Sequence, residues 1–282
     1  MKTILEIISL STDYLKKHQI PHARRQAEEL VCDALGMQRL QLYLEFDRPL
    51  TNPELVLCRS YLERRGKGEP LPYIHGTVEF LDCRIQVNPS VLIPRQETEI
   101  LTDKIIQKLS KVDHENKILW DVCCGSGCIG IAIKKKLPDL RVVLSDYSEE
   151  ALSIAKNNAE SNDADVEIVQ GDLLTPFQGQ HAHFFVCNPP YIAENEFLSL
   201  DKEVSQHEPY QALIAGRTGL EFYERLAVHL PGHMLPGGRI WLEMGKGQGE
   251  PIKKLFSSFP GSHCWVELDW AGHDRFFFLE ME

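Results

Sequence analysis

The sequence predicts an α/β protein, in which a mostly parallel sheet covered by helices on both faces follows a small helical bundle and a β-hairpin. Three observations predict it. Apolar residues recur at helical spacing through the first 65 or so residues. The pattern stops at Arg65-Gly66-Lys67-Gly68-Glu69-Pro70, and two short β-like runs follow. From Glu97 onward, apolar strand-like runs alternate with helical ones, as a parallel sheet requires.

In the bundle, Ile4, Leu5, Ile7, Ile8, Tyr14 and Leu15 form the first helical stripe. Ala27, Leu30, Val31, Ala34 and Leu35 form the second, and Leu55, Leu57, Tyr61 and Leu62 the third. Pro21, Gly36 and Asn52-Pro53 punctuate them, with Pro53 suited to a first helical position. Val78-Glu79-Phe80 and Cys83-Arg84-Ile85-Gln86-Val87 then form a hairpin around Asp82. The expected division is a helical domain at 1–72, a hairpin linker at 73–94 and an α/β domain at 95–282.

Within the last domain the pattern predicts a helix near 97–111, a strand at 118–122, a helix at 127–137, a strand at 141–145 and a helix at 149–161. Strands at 166–169 and 183–187 follow, then a helix at 218–229, a strand at 239–243 and a helix at 249–258. The ending, 264–268 and 276–279 around Gly272, has no crossover helix, so one late strand should be antiparallel.

Composition narrows the function. With 43% hydrophobic and 25% charged residues the chain reads as globular. The opening stretch interrupts its apolar residues with Glu6, Asp13 and Lys16, which fits neither a signal peptide nor a membrane span. A cytoplasmic monomer without a membrane partner is expected. Residues 1–75 carry 11 Lys/Arg against 10 Asp/Glu, whereas the rest carry 19 against 31. The larger part would therefore repel a phosphate backbone, which weighs against a nucleic-acid partner. Eight cysteines without a CxxC pair are read as free thiols, with no metal site.

Two segments carry chemistry. Ile118 to Ile133 spells a strand, a glycine-rich turn and a helix start, in which Gly125 and Gly127 permit close ligand approach and the helix N-terminus offers unpaired N–H groups. Gly125-Ser126-Gly127-Cys128-Ile129-Gly130 also matches a dinucleotide turn. Asp121 at the strand end disfavours a diphosphate and suits the cationic ammonium and sulfonium of S-adenosylmethionine, so the methyl donor is the preferred cofactor. Asp146 after the next strand can accept from both ribose hydroxyls, or simply serve the following helix start. Asp172 and Leu173 would flank adenine, or form only a turn.

The second segment is Asn188-Pro189-Pro190-Tyr191, placed after the apolar strand Phe184 to Cys187. Two prolines stiffen the turn at the carboxyl end of a central strand, where ligands bind in such sheets. An amide or aromatic amine nitrogen is a poor nucleophile because its lone pair is delocalised. The Asn188 side-chain carbonyl and the Pro189 backbone carbonyl can each accept one of its hydrogens, presenting the nitrogen to a methyl carbon, while Tyr191 packs over the planar group. A rigid loop without chemistry is the plain alternative, and its position downstream of the glycine turn, Asp146 and Asp172 argues against it.

With these residues in hand, the chain resembles the HemK or PrmC family of release factor N5-glutamine methyltransferases. The resemblance rests on the two segments and on ordered blocks: Gly68-Glu69-Pro70-Leu71-Pro72-Tyr73-Ile74-His75-Gly76, Glu79-Phe80, and Val91-Leu92-Ile93-Pro94-Arg95-Gln96-Glu97-Thr98-Glu99. Further on come Glu208-Pro209, Ala212-Leu213, Gly219-Leu220, and Leu242-Glu243-Met244-Gly245 with Gln248. It implies a seven-stranded, Rossmann-like class I methyltransferase sheet behind an N-terminal helical bundle and hairpin linker. It also implies a substrate, the glutamine of the Gly-Gly-Gln loop in class I peptide chain release factors. By the same resemblance Cys123, Cys124, Gly125, Ser126, Gly127, Asp146, Leu173 and Asn188 would hold the cofactor, together with the Asp172 read above. Asn188, Pro189, Pro190 and Tyr191 would hold the glutamine, with Asn188, Pro189 and Tyr191 as the catalytic set.

The chain departs from the family pattern at Cys123, where many members have glycine, at Gln96, where proline is usual, and at His183, where Asp is frequent. A ribosomal-protein glutamine methyltransferase is the alternative, and Glu97-Thr98-Glu99 favours the release-factor branch. DNA or RNA adenine-N6 methylation poses the same hydrogen-bonding problem, but the acidic catalytic half opposes it.

Overall fold

The computed structural model describes residues 2–259 and 261–282. The chain forms two compact units, one running through Gly76 and including Asp201–His207, the other comprising Thr77–Leu200 and Glu208–Glu282.

The first unit contains α1 (Ile4–Lys17), α2 (Ala23–Leu35), α3 (Arg39–Leu44), α4 (Asn52–Gly66) and α5 (Leu71–His75). Thr3 and Glu6 cap each other's backbone at the start of α1, and Thr51 with Glu54 does the same for α4, where Pro53 sits in the first turn. Gly36 stops α2 in a left-handed conformation. Ile4, Ile8, Leu15, Ala27, Leu30, Val31 and Leu42 close the core. The short helices α3 and α5 are additions to the three predicted from periodicity, each spanning under two turns. Asp201–His207, which holds the short helix α9 (Lys202–His207), joins this unit through a buried arginine. Arg65 donates to Gln26 Oε1 at 2.6 Å, to the Glu69 carbonyl at 2.7 Å and to Glu203 Oε2 at 2.8 Å.

The second unit opens with the hairpin β1 (Thr77–Phe80) and β2 (Cys83–Gln86), then α6 (Gln96–Leu109). It continues with β3 (Ile118–Val122), α7 (Cys128–Lys136), β4 (Arg141–Asp146), α8 (Glu149–Ser161), β5 (Glu167–Gln170) and β6 (Ala182–Cys187). After β7 (Ile192–Ala193), α10 (Tyr210–Leu213) and β8 (Ile214–Gly216) come α11 (Glu221–His229), β9 (Met234–Glu243), α12 (Gly249–Phe256), β10 (Ser262–Leu268) and β11 (Asp274–Met281).

The main sheet has seven strands in the order β10-β11-β9-β6-β3-β4-β5. Strands β9, β6, β3, β4 and β5 pair in parallel, and β11 is antiparallel to both neighbours, the one late reversal the missing crossover helix requires. Side chains alternate across the sheet. Trp120 and Val122 join the core under α11 and α12 with Tyr223, Leu226, Ile252 and Phe256, while Asp121 points to α7 on the other face. The β7–β8 pair and the segment around it escaped the periodicity reading because two- and three-residue strands carry no pattern. No described helix is long and apolar enough to cross a membrane.

Side chains substitute for a third strand along the hairpin. Asn158 of α8 and Asn162 at its C-cap each accept from and donate to the backbone of β2, at Gln86 and Arg84, with distances of 2.7–3.1 Å. Asn158 Nδ2 also donates to the Ser126 carbonyl at 2.9 Å, so one buried amide ties the hairpin to the glycine turn.

Candidate active site

The carboxyl ends of β3, β4, β5 and β6 open on a cavity of about 520 Å³. Cys123, Cys124, Gly125, Ser126, Asp146, Asp172, Leu173, Asn188 and Pro190 all line it, so nine of the sequence-predicted residues converge in one space. Gly127, Pro189 and Tyr191 are not among the lining residues: Gly127 caps α7, and Tyr191 is half-buried, packed against the core under the sheet. Pro94, Thr98, Pro209, Gln211, Ala212 and Phe222 add walls that sequence reasoning did not assign.

The glycine turn is held from two sides. Cys124 N donates to the Ser145 carbonyl of β4 at 3.0 Å, and Gly125 N donates to Asp146 Oδ2 at 2.8 Å. Gly125 has φ +53° and open space where a Cβ would stand, so its side facing the cavity is a cradle that a side chain would fill. Cys123 adopts φ +58°, a left-handed conformation that costs a non-glycine residue about 1 kcal/mol. This gives the physical reason a glycine suits that position in many relatives, and shows that cysteine is accommodated there.

Asp146 accepts one N–H on each oxygen, from Gly125 and from Ser148 at 3.0 Å, leaving further lone pairs on both for a diol. Burial raises its carboxyl above the ordinary value, against hydrogen bonds from Ser148, Gly125 and Tyr147. Asp172 stands at the cavity edge, where its Oδ2 accepts from Arg225 Nη2 at 2.6 Å, and Leu173 is buried at φ +50°. Asp121, expected to face the ligand, is instead fully buried beneath the turn. Its Oδ2 accepts from Gly130 N at 2.8 Å in the first turn of α7, and its Oδ1 has no hydrogen-bond partner. Burial pushes its carboxyl up to about 7. Alternation along β3 explains the difference, since the residue two before the turn must face α7.

The tetrapeptide turn follows β6 between β3 and β9. Asn188 Nδ2 donates to Thr98 Oγ1 at 3.3 Å, and Thr98 Oγ1 donates to Glu243 Oε2 at 2.6 Å. Gln248 holds the other end: its Nε2 donates to the carbonyls of Tyr191 at 3.0 Å and Gly219 at 3.2 Å, while its Oε1 accepts from Gly245 N at 2.8 Å. Arg275 Nη1 donates to the Met244 carbonyl at 3.0 Å and reaches the Tyr191 hydroxyl at 3.5 Å. Burial pushes the Tyr191 phenol up to about 12, with Glu243 adding to it and Arg275 and Arg95 opposing. The buried Glu208 pairs with Arg95 and accepts from Ile93 N at 3.2 Å, fixing the segment that carries Pro94 into the wall. Thr98, Glu208, Glu243 and Gln248 belong to sequence blocks singled out for resemblance, but nothing local in the sequence reveals that they support the turn.

Comparison with known proteins agrees over the whole length. The model of the PrmC N-terminal domain matches residues 6–76, and that of the methyltransferase small domain matches residues 92–206. A release factor glutamine methyltransferase of Chlamydia trachomatis is 45% identical, with 98% of this chain and 93% of the relative covered. The Geobacter sulfurreducens release factor glutamine methyltransferase is 38% identical, covering 97% and 95%. Among solved structures, a methyltransferase from Pyrococcus furiosus shares the fold at a TM-score of 0.51, with 17% identity over 71% of this chain and 89% of that one. With one fold, one convergent cavity and near full-length similarity, the chain belongs to the release factor glutamine methyltransferase family.

Proposed function

We propose that the chain methylates the N5 amide nitrogen of the glutamine in the Gly-Gly-Gln loop of class I release factors. The observation that carries this reading is the setting of Asn188. Its amide is anchored through Thr98 in the cavity that the glycine turn and Asp146 also line.

The methyl donor is S-adenosylmethionine, which supplies an electrophilic methyl carbon on a positively charged sulfur. The residues present fit it: Gly125 leaves an open cradle, and Asp146 keeps acceptor capacity for two hydroxyls. Cys123 to Gly127, Asp146, Asp172, Leu173 and Asn188 would hold it. The chain's own work is to orient the acceptor. The Asn188 side-chain oxygen and the Pro189 carbonyl each accept one N–H of the glutamine amide, which fixes the plane of the NH₂ and the direction of its lone pair. As the nitrogen takes the methyl carbon from a donor that would leave as a neutral thioether, both N–H groups become more acidic, and these two acceptors stabilise them until one proton passes to water, leaving the methylated amide. Pro190 walls the cavity, and Tyr191 holds the turn in place through Gln248 and Arg275. The helical unit is assigned to gripping the body of the release factor; Leu40, Leu44 and Val56 expose apolar surface on it. The reaction belongs to the cytoplasm, where release factors act.

Incubating the protein with labelled donor and purified release factor, followed by peptide mapping, should place one methyl group on the Gly-Gly-Gln peptide. A label on ribosomal protein or on DNA adenine, with none on release factor, would overturn the reading.

A further inference from the structure

Glu243 ends β9 one position beyond Leu242, which pairs with Cys187, so its side chain stands level with Asn188 on the adjoining strand. It is 1% exposed. The Thr98 hydroxyl, from the first turn of α6, is spent on its carboxylate at 2.6 Å. A hydroxyl has one proton, so the Thr98 oxygen can then only accept, and the end of the Asn188 amide that meets it must be the NH₂. The carbonyl is thereby the end left for a substrate.

We propose that Glu243, acting through Thr98 and directly on the Asn188 amide, is the positioning residue for Asn188, its ionised carboxylate setting the polarity of the relay so that the Asn188 carbonyl accepts a substrate N–H. The inference rests on the role given to Asn188 above and adds the group that enforces it. Were the carboxylate protonated, its O–H could donate to Thr98. The freed hydroxyl proton would then turn to Asn188 and favour the opposite amide orientation, in which an NH₂ faces the substrate NH₂.

Burial pushes the Glu243 carboxyl up to about 7, while Thr98, Arg275 and Asn188 oppose this and Glu97 adds to it. The groups around it are Glu97 and Thr98 from α6, Arg275 from β11, Tyr191 from the turn, Tyr223 from α11, whose hydroxyl donates to the Glu243 backbone carbonyl at 2.7 Å, and Cys128 from α7. Burial first, and neighbouring anions next, push Tyr191, Tyr223 and Cys128 far above neutrality, so none of the three competes for a titration there.

The test is the side-chain amide resonance of Asn188, followed by NMR against pH in the full chain without donor or substrate. In the unsubstituted protein it should shift with a midpoint near 7. Glu243→Gln should flatten the curve, Thr98→Val should reduce its amplitude, and Thr98→Ser should restore it. On release factor, kcat should fall about tenfold per pH unit below the midpoint. Glu243→Gln should lower kcat about 100-fold without that limb, leaving donor KM within about threefold. An Asn188 resonance that still titrates in Glu243→Gln, or at full amplitude in Thr98→Val should the first variant not fold, overturns the relay. If the unsubstituted protein does not methylate release factor, the proposed function fails while the resonance still decides the relay.

Discussion

Glu28 in the helical unit and Glu243 in the catalytic unit are both almost fully buried glutamates, at 3% and 1% exposure, and they meet opposite fates. Burial alone would raise Glu28, but hydrogen bonds from Arg24, Tyr43 and Arg39 at 2.6–2.8 Å outweigh it and hold the carboxyl below its ordinary value. Glu69 is held low by Arg64, and Glu54 by the Thr51 backbone. Beside the cavity of the catalytic unit burial wins: Asp121 and Glu243 are both pushed up to about 7, and Asp146 is raised. Compensated charge fixes one helical packing. Uncompensated charge, collected around the cavity, costs stability and is retained where an oriented acceptor or a negative field is needed.

The sharpest probe of that contrast is Asn188→Ala. It removes the acceptor at the end of the Glu243 relay, so turnover on release factor should fall by roughly 1000-fold or more. Donor affinity, measured by calorimetry, should stay within about fivefold, because the glycine turn and Asp146 are untouched. Unchanged turnover would remove the chemical reason for the buried carboxylate.

Next in size is Gly219→Ala. Gly219 has φ +81°, and a Cβ there would lie 2.6 Å from the Tyr191 carbonyl and 2.9 Å from Gln248 Nε2, breaking the clasp on the tetrapeptide. Turnover should drop about 10- to 100-fold from displacement of the turn. Stability should fall by about 1–3 kcal/mol in urea unfolding from backbone strain and overpacking. Full activity would show that the clasp does not set the geometry of Asn188.

The two units also differed in how far the sequence disclosed them. The helical stripes, the strand order's single reversal and the convergence of the glycine turn and Asn188 on one cavity are legible because each is written in contiguous residues or in a period. Asp121 was misplaced because a carboxylate beside a ligand turn reads the same whether it faces the cavity or the helix behind it, and only strand alternation in the folded sheet decides. Thr98, Glu243 and Gln248 were invisible as supports. They reach the turn from positions 98, 243 and 248 across adjacent elements, and a relay between distant residues leaves no local pattern. The same holds for Asn158, whose amide stands in for a strand partner of β2. Arg65 and Asp201–His207 show the effect at the level of units, since a late segment joins the helical one through a single buried guanidinium.

The smallest expected effect tests the contrast in free energy. A carboxyl whose value is raised on folding binds its proton more tightly in the folded state, so its contribution is complete below the unfolded value and is lost as pH rises through the folded one. For Asp121 the window runs from 3.8 to about 7, and for Glu243 from 4.5 to about 7. Each group can remove up to about 1.4 kcal/mol per pH unit across its window. Glu28, Glu54 and Glu69 are lowered, so their contribution is present above 4.5 and is lost only as pH falls below it. Between pH 5 and 8 the helical unit's carboxylates therefore give a flat response and the catalytic unit's a declining one. Trp120, Trp241, Trp265 and Trp270, the chain's four tryptophans, all lie in the catalytic unit, so their fluorescence reports it selectively during urea unfolding. Their midpoint should fall as pH rises from 5 to 8, and Glu243→Gln should flatten part of that fall. Glu28→Gln should instead lower stability by about 1–2 kcal/mol with no change in its pH dependence over this range. A tryptophan midpoint that climbs with pH would mean that the catalytic carboxylates are compensated after all, and that the two units do not differ as drawn.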